Sequence, residues 1–328
     1  MCLIKTNLKS RMYEVSIIIP VYNASAFVKE CLDSVMAQTM TDGVECILVD
    51  DCSTDNTLEE IQSIINVNAN GNVKISLLLQ ERNQGPSAAR NRGLREAKGE
   101  YVFFLDADDT ITPDCIELLY GLAKQHDADY VQGRYVNDNE NGNENDNPNM
   151  SLPSVLSDKR EIKRLLLNHN KIEFTPHNRL VRRQMIIDHN LFFNEEIRVR
   201  EDFLWMTFVA KYVERFASCE RVTYIRGYNE ESLTNNINVE REIAGYRVLT
   251  ETMVTNYDSF LLGYQKELTL EALMMALRAG YYHDETERKH LIDVVLSKNN
   301  WLENLLLKIY LKTENPKILH LLVRVYKR

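Results

Sequence analysis

The chain opens with short, strongly apolar runs that alternate with longer amphipathic stretches. VSIII at 15–19 is dense in β-branched residues and is bounded by Pro20, the pattern of a buried strand whose hydrogen-bond ladder stops at the proline. Phe27, Cys31, Leu32 and Val35 then recur at helical spacing, with Asn23 or Ser25 placed to cap that helix. CILV at 46–49 predicts a second strand, and beyond the polar run DDCSTDNT the spacing predicts a helix over 58–65. A third strand is expected at 73–79, then a helix over 84–97 that opens on Gly85 and Pro86. A fourth strand is expected over 101–105 and a further helix over 113–125. Strands alternating with helices of this length imply βαβ units and a mostly parallel sheet.

The pattern changes at NDNENGNENDNPN (137–149), a polar, low-complexity stretch without apolar anchors, expected as a mobile surface loop. Helices are expected over 160–167 and 201–212, a short strand at 222–225, and mostly helix from about residue 239 to the end. No internal repeat is visible. These shifts divide the chain into an N-terminal extension (1–12), an α/β domain (13–235) with halves at 13–130 and 150–235, and a helical C-terminal region (236–328).

Composition narrows the class of partner. The 328 residues are 44% hydrophobic and 27% charged, as in ordinary globular chains. A net charge of −9 argues against a nucleic-acid partner, which demands a basic face. The six cysteines show neither CxxC nor zinc-like spacing, so reduced thiols and a cytoplasmic setting are expected. The first residues lack the apolar core of a signal peptide, and no apolar run is long enough to span a bilayer.

The tail is different. Trp301, Leu302, Leu305, Leu306, Ile309 and Tyr310 form one apolar stripe; Ile318, Leu319, Leu322, Val323 and Tyr326 form another beyond Pro316. Lys308, Lys312, Lys317, Arg324, Lys327 and Arg328 add a basic bias. Such helices fit peripheral contact with an anionic membrane, and equally a hairpin packed on the protein or on a second copy; both readings stay open.

In open parallel sheets, ligands bind beyond the carboxyl ends of the strands. Here those ends carry Pro20-Val21-Tyr22-Asn23, Asp50-Asp51-Cys52-Ser53 and Asp106-Ala107-Asp108-Asp109. Crowded carboxylates raise one another's pKa unless a cation neutralises them, so a divalent metal is the economical explanation. Taken singly, Asp106-x-Asp108 also reads as a turn, with Asp109 or Thr110 capping the helix after Pro113. Asp50-Asp51 alone reads as a helix-start turn. The conjunction at successive strand ends is what singles the rim out.

VSIIIPVYN, ILVDDCSTDNT, NQGPSAARNRGL and GEYVFFLDADD resemble successive signatures of family 2 glycosyltransferases, strongly over 13–130 and more loosely to about Thr234. The resemblance implies a GT-A fold: a Rossmann-like, mostly parallel sheet flanked by helices, here with a helical C-terminal extension. It implies a nucleotide-binding half at 13–130 and an acceptor-binding half at 150–235. The activity implied is inverting transfer of a sugar from a nucleotide-sugar, UDP-linked by family habit, to a glycan or lipid-linked acceptor in bacterial cell-surface polysaccharide synthesis.

By the same resemblance Pro20, Val21, Tyr22 and Asp51 hold the nucleotide base: a carboxylate accepts the imide N–H of uracil and an aromatic packs on its ring. Asp50 is a structural neighbour, Ser53 and Asp55 shape the turn, and Arg90, in preference to Arg92, faces the base and phosphates. Asp108 ligates Mn2+ or Mg2+ with Asp106 assisting, oxygen donors that suit either ion. The metal offsets charge on the departing nucleoside diphosphate. Asp109 reaches a donor sugar hydroxyl. The acceptor's base is Asp202, with Glu201 the alternative, in VREDFLW; a favourable acidic pair at a helix start accounts for the same residues. His177, Asn178 and Arg179 lie where relatives carry an aromatic-Asn-Lys-Leu pattern, with His177 departing from the usual Trp. Arg226 and the stretch 231–234 resemble a loop that closes over the diphosphate. A single in-line displacement with inversion follows.

VFFLDADDTI also fits a phosphatase of the haloacid dehalogenase type, with Asp106 as nucleophile. There the motif sits on the first core strand, whereas here two βα units precede it. A nucleotidyltransferase would show a Gly-rich, basic loop after the first strand, which PVYNASAF is not. An inactive nucleotide-sugar-binding module is opposed by the joint presence of Asp51, Asp106, Asp108 and Asp202.

Overall fold

A computed structural model describes residues 13–68, 71, 73–138, 145–146, 152–167, 171–197 and 201–229, with isolated positions at 293, 304, 307, 308 and 312. The chain divides into two compact units, Met1–Glu195 with Asp202–Glu230, and Glu196–Glu201 with Glu231–Arg328. The fold described below is that of the first unit. The helical region from about residue 239, the tail stripes and the stretch 231–234 lie outside the described residues.

Four parallel strands begin the sheet: β1 (Tyr13–Val21), β2 (Val44–Asp50), β3 (Lys74–Leu79) and β4 (Gly99–Phe104), in the order β3-β2-β1-β4. Val15, Ile17, Ile18 and Ile19 of β1 are all fully buried, because helices cover both faces. One face meets α1 (Val28–Met36) and α2 (Thr57–Val67), where Val28, Cys31, Leu32, Val35 and Ile61 join Ile17, Ile19 and Leu48 in the core. Each such aliphatic contributes about 1.5–3 kcal/mol by leaving water. On the other face α3 (Pro86–Glu96) lies so close that a Cβ on Gly93 would stand 2.4 Å from Ile18 Cγ2.

The second half extends this sheet with mixed polarity. After β5 (Thr110–Ile111) and α4 (Cys115–His126) come β6 (Tyr130–Asn137), the two-residue β7 (Asn145–Asp146) and β8 (Val155–Leu156), then α5 (Lys159–Leu166). β9 (Arg179–Arg182) runs antiparallel between β4 and β6; α6 (Arg183–Asp188) and α7 (Glu201–Tyr212) follow, and β10 (Phe216–Arg226) lies parallel to β6. β5 pairs antiparallel with the end of β10 through Tyr224 and Ile225. This pairing folds the chain after Asp109 back against β10.

Several expectations are corrected. Neither Asn23 nor Ser25 caps α1, which starts at Val28 without a side-chain cap. Asn23 adopts φ 49° and accepts the Thr54 N–H at 2.8 Å; Ser25 N–H donates to Asp55 at 3.2 Å. Asp109 and Thr110 do not cap α4, since Thr110 belongs to β5 and Asp109 is buried. The strand expected at 222–225 begins at Phe216; register shifts between Ser218 and Val222 break its alternation. Within the expected loop at 137–149, Asn145–Asp146 pairs with the end of β6; most of the remainder lies outside the described residues. Among the described residues no helix is long and apolar enough to cross a membrane.

Candidate active site

The carboxyl ends of β1, β2 and β4 open on one rim. Asp51 N–H donates to Val21 O at 2.8 Å, and Asn23 N–H donates to Ser53 Oγ at 3.0 Å, so the first two loops are stitched together. Tyr22 stands 48% exposed on this rim, where a flat ring could pack against it. Cys52 sits at φ 64°, a strained value for a side-chain-bearing residue.

Asp51 is almost fully buried, and its carboxylate is heavily used by the protein. Oδ1 accepts Gln80 Nε2 at 2.6 Å and Gln84 N–H at 2.8 Å, and Oδ2 accepts Gly85 N–H at 2.7 Å. The residue thus pins the loop into α3, which turns at Gly85 with φ 91°. Asp50 is also buried and accepts Ser53 N–H at 3.2 Å, while Asp55 accepts Ser25 and Thr57 N–H groups.

Arg90 points at the acidic turn. Its Nη2 lies 3.1 Å from Asp106 Oδ1, and its guanidinium sits 5.5 Å over the Phe193 ring. Asn91, the next residue of α3, exchanges two 2.8 Å hydrogen bonds with the Phe193 backbone.

The three carboxylates after β4 have distinct surroundings. Asp106 is held by Arg90 on Oδ1 and by His177 Nδ1 on Oδ2, the latter at 3.1 Å. Asp109 accepts the Tyr224 hydroxyl and, at 2.8 Å, Gly227 N–H. Asp108 accepts the Asn229 amide at 2.9 Å. Four of these partners stand at or just beyond the end of β10 or on the segment before β9.

That segment is built by its own sequence. Asn178 takes φ 58°, its amide donates to Gly133 O at 2.9 Å, and its Oδ1 accepts the Thr223 hydroxyl at 2.7 Å. Arg179, 2% exposed, donates to Tyr130 Oη, to Thr175 Oγ1 and to the His177 and Glu173 carbonyls. These contacts fix His177 with its ring stacked on Tyr224 at 4.9 Å and its Nε2 2.9 Å from Arg226. Arg226 also meets Glu173 at 2.8 Å.

Electrostatics separates the acids. Burial would raise the Asp106 pKa, but the Arg90 charge and His177 outweigh it and hold the group well below the usual carboxylate range. With 27% of its side chain open to solvent, Asp106 also carries a softened burial penalty. Burial raises Asp109, and the Asp106 and Asp108 charges add to it. Asp108 is raised by burial and then by Asp106. Burial also lowers His177, with Arg226 and Arg179 adding to it against the pull of Asp106.

The donor set fits a hard divalent ion. Among the described residues no guanidinium or ammonium pairs with Asp108, and Asp106 keeps lone pairs beyond its two partners. Asp106, Asp109 and His177 also offer atoms within 4.8 Å of one another. That trio is the poorer set: Asp109 is only 3% exposed, and His177 Nδ1 faces Asp106 as a donor because Nε2 faces a guanidinium. Carboxylate oxygens at Asp108 and Asp106 suit Mg2+ or Mn2+.

Asp202 lies in the first turn of α7 and accepts Phe203 N–H at 2.7 Å; Glu201 is the first residue of that helix. Trp205 crosses Phe104 edge-on at 5.5 Å and stacks on Phe193 at 4.7 Å, while Phe203 stacks on Phe174 at 4.4 Å. The helix start is thereby anchored beside the end of β4. Sequence reading missed Glu173, Tyr224, Gly227 and Asn229. Tyr224 falls within the strand expected at 222–225 and Gly227 and Asn229 follow it directly, whereas Glu173 shares no short motif with them.

The profile described as glycosyl transferase family 2 matches residues 16–189. EpsJ of Bacillus subtilis (strain 168), named an uncharacterized glycosyltransferase, is 31% identical over 67% of this chain and 62% of its own length. The poly(ribitol-phosphate) beta-glucosyltransferase of Bacillus spizizenii is 32% identical over 58% of this chain and 31% of its own. The chain spans less than two thirds of the length of these curated relatives. Among solved structures, Staphylococcus aureus TarS 1–349 in complex with UDP-GlcNAc superposes with a TM-score of 0.70 at 20% identity, covering 96% of this chain and 91% of that one. The chain belongs to glycosyltransferase family 2 and has its GT-A fold.

Proposed function

We propose that this chain transfers a sugar from a nucleotide-sugar, UDP-linked in the first instance, to a hydroxyl of a cell-surface glycan or lipid-linked acceptor, with inversion. The observation that carries the proposal is the state of Asp108: a partly desolvated carboxylate beside Asp106 and Asp109, with a neutral amide and, among the described residues, no cation against it. Mg2+ or Mn2+ held by Asp108 and Asp106 would supply charge neutralisation for the departing diphosphate.

The chain's own residues do the rest. Tyr22, with Pro20 and Val21, offers the rim on which the base packs, and Asp51 holds the loop that closes its other side. Arg90 fixes the Asp106 carboxylate and adds positive charge toward the phosphates. Asp109, buried and engaged by Tyr224 and Gly227, holds the turn in place beside the donor sugar instead of reaching a sugar hydroxyl itself. Asp202 takes the proton of the acceptor hydroxyl as it attacks, since that hydroxyl is far too weak an acid to ionise unaided. No covalent sugar–enzyme intermediate is needed.

TarS and the Bacillus spizizenii enzyme act by name on poly(ribitol phosphate), which supports a cell-surface polymer as acceptor class. A role for Asp106 as a phosphatase nucleophile is opposed by the family match over residues 16–189 and by the place of its turn after β4 rather than after the first strand. The test is a panel of nucleotide-sugars in thermal-shift assays with and without Mn2+. At least one is expected to stabilise the protein in a metal-dependent way; stabilisation by none would overturn the proposal.

A further inference from the structure

We infer that Glu173, Arg226 and His177 form a hydrogen-bond relay that sets the orientation of Asp106, with His177 held as the Nδ1–H tautomer. Its consequence for the metal rests on the function proposed above; the relay and the tautomer do not.

One donor in this chain of contacts has no alternative role. A guanidinium carries only N–H groups and never accepts a hydrogen bond. Arg226 Nη2 lies 2.8 Å from Glu173 Oε2 and 2.9 Å from His177 Nε2. Nε2 must therefore present its lone pair. The ring proton is left on Nδ1, which lies 3.1 Å from Asp106 Oδ2. The opposite tautomer, or a doubly protonated ring, would set N–H against N–H at Arg226. Which nitrogen holds the proton is thus decided by Arg226, and Arg226 is placed by Glu173 through two contacts, at 2.8 and 3.4 Å.

The rest of the site is built to keep this chain in register. Arg226 packs over the Tyr135 ring at 4.7 Å, and Arg179 donates to the backbone carbonyls of both Glu173 and His177. The His177 ring cannot tilt freely, because it is 6% exposed and stacked on Tyr224, whose hydroxyl reaches Asp109. Arg90 holds the other Asp106 oxygen. With one oxygen fixed from α3 and the other from the segment before β9, the Asp106 carboxylate plane is defined, and so is the direction of its remaining lone pairs. His177, Arg226 and Glu173 act as positioning residues.

Two measurements on the full chain test this. Long-range 15N–1H correlation spectra near neutral pH, with the His177 signals assigned by their loss in His177→Phe, are expected to show protonated Nδ1 and unprotonated Nε2. In Arg226→Met that preference should weaken or reverse. An Nε2–H or doubly protonated ring in the wild type would overturn the relay. Mn2+ affinity, read by electron paramagnetic resonance without donor, is expected to fall about tenfold in His177→Phe. It should recover largely in His177→Asn, whose amide keeps a donor near the Nδ1 position. Equal affinity in wild type and His177→Phe, with both folded by circular dichroism, would overturn the positioning role. Absence of Mn2+ binding in the wild type would instead remove the metal reading, with the tautomer result standing by itself.

Discussion

Asn229 donates its side-chain amide to Asp108 Oδ2 at 2.9 Å, which joins the segment just past β10 to the middle carboxylate of the acidic turn. An amide is a weak substitute for a cation there, because it brings a dipole and no net charge. Replacing Asp108 by Asn should remove metal-dependent stabilisation and cut turnover by about 10²–10³-fold. It should also relieve like-charge crowding with Asp106, so the metal-free Tm of Asp108→Asn is expected at or above that of the wild type. A clear loss of metal-free stability would show that Asp108 is there chiefly to hold the fold.

Gly227 approaches the same turn through its backbone. A Cβ there would fall 2.0 Å from Asp108 O, an atom of the main chain that cannot swing away. Gly227→Ala should therefore cost about 1–3 kcal/mol by overpacking and displace the turn, lowering both Tm and activity. Gly121 in α4 is the natural control, since an added Cβ meets nothing within 4 Å. Gly121→Ala should raise stability by up to about 1 kcal/mol and leave activity alone. Chemical denaturation of the two variants reads the contrast directly.

Asp51 holds three donors of the loop into α3, so removing it leaves buried N–H groups without partners. Asp51→Ala is expected to destabilise by at least about 1–3 kcal/mol and to raise KM for the nucleotide-sugar. A raised KM with unchanged stability would return Asp51 to the purely base-binding role read from the sequence.

Asp202→Asn should lower kcat by about 10²–10⁴-fold while leaving nucleotide-sugar affinity nearly unchanged, as expected when a general base is lost. Isothermal titration against the donor, alongside turnover, separates the two. A matching loss in Glu201→Gln but not in Asp202→Asn would exchange their roles.

At the other end of the rim, Asp55 gives a pH signature. Burial pushes its pKa up, but hydrogen bonds from Thr57 and Ser25 outweigh this and leave it lowered. A folded-state pKa below the unfolded one means stabilisation that is present above the unfolded value of about 3.9 and lost as pH falls through the folded value. Asp55→Asn should flatten that acid limb in a Tm-against-pH series and leave its shape unchanged near neutrality.

The legible part of this molecule was the part governed by local pattern. The β1–α3 half could be read because β1 and β2 are buried on both faces and α1 carries one apolar stripe, so periodicity and burial coincide there. Pro86 at the start of α3 and the acidic residues at strand ends were visible for the same reason. The second half resisted because its strands are short or irregular. β9 spans only Arg179–Arg182, β6 carries Gly133 where a Cβ would stand 1.9 Å from Thr223 Oγ1, and the alternation of β10 is broken around Cys219. In the site, residue types were readable but partners were not. Arg90 was expected at the base and phosphates and meets Asp106; Arg226 was expected over the diphosphate and meets His177 and Glu173. Such choices are settled by contacts between residues far apart in the chain, on which spacing is silent.

On the function proposed above, Asp108 and Asp106 hold a metal that serves a nucleotide-sugar. The most direct measurement of this is release of nucleoside diphosphate from a panel of nucleotide-sugars by the wild type with Mn2+, the wild type with EDTA, and Asp108→Asn with Mn2+. Release from at least one donor is expected in the first reaction only. Release from none, or equal release in all three, would contradict it.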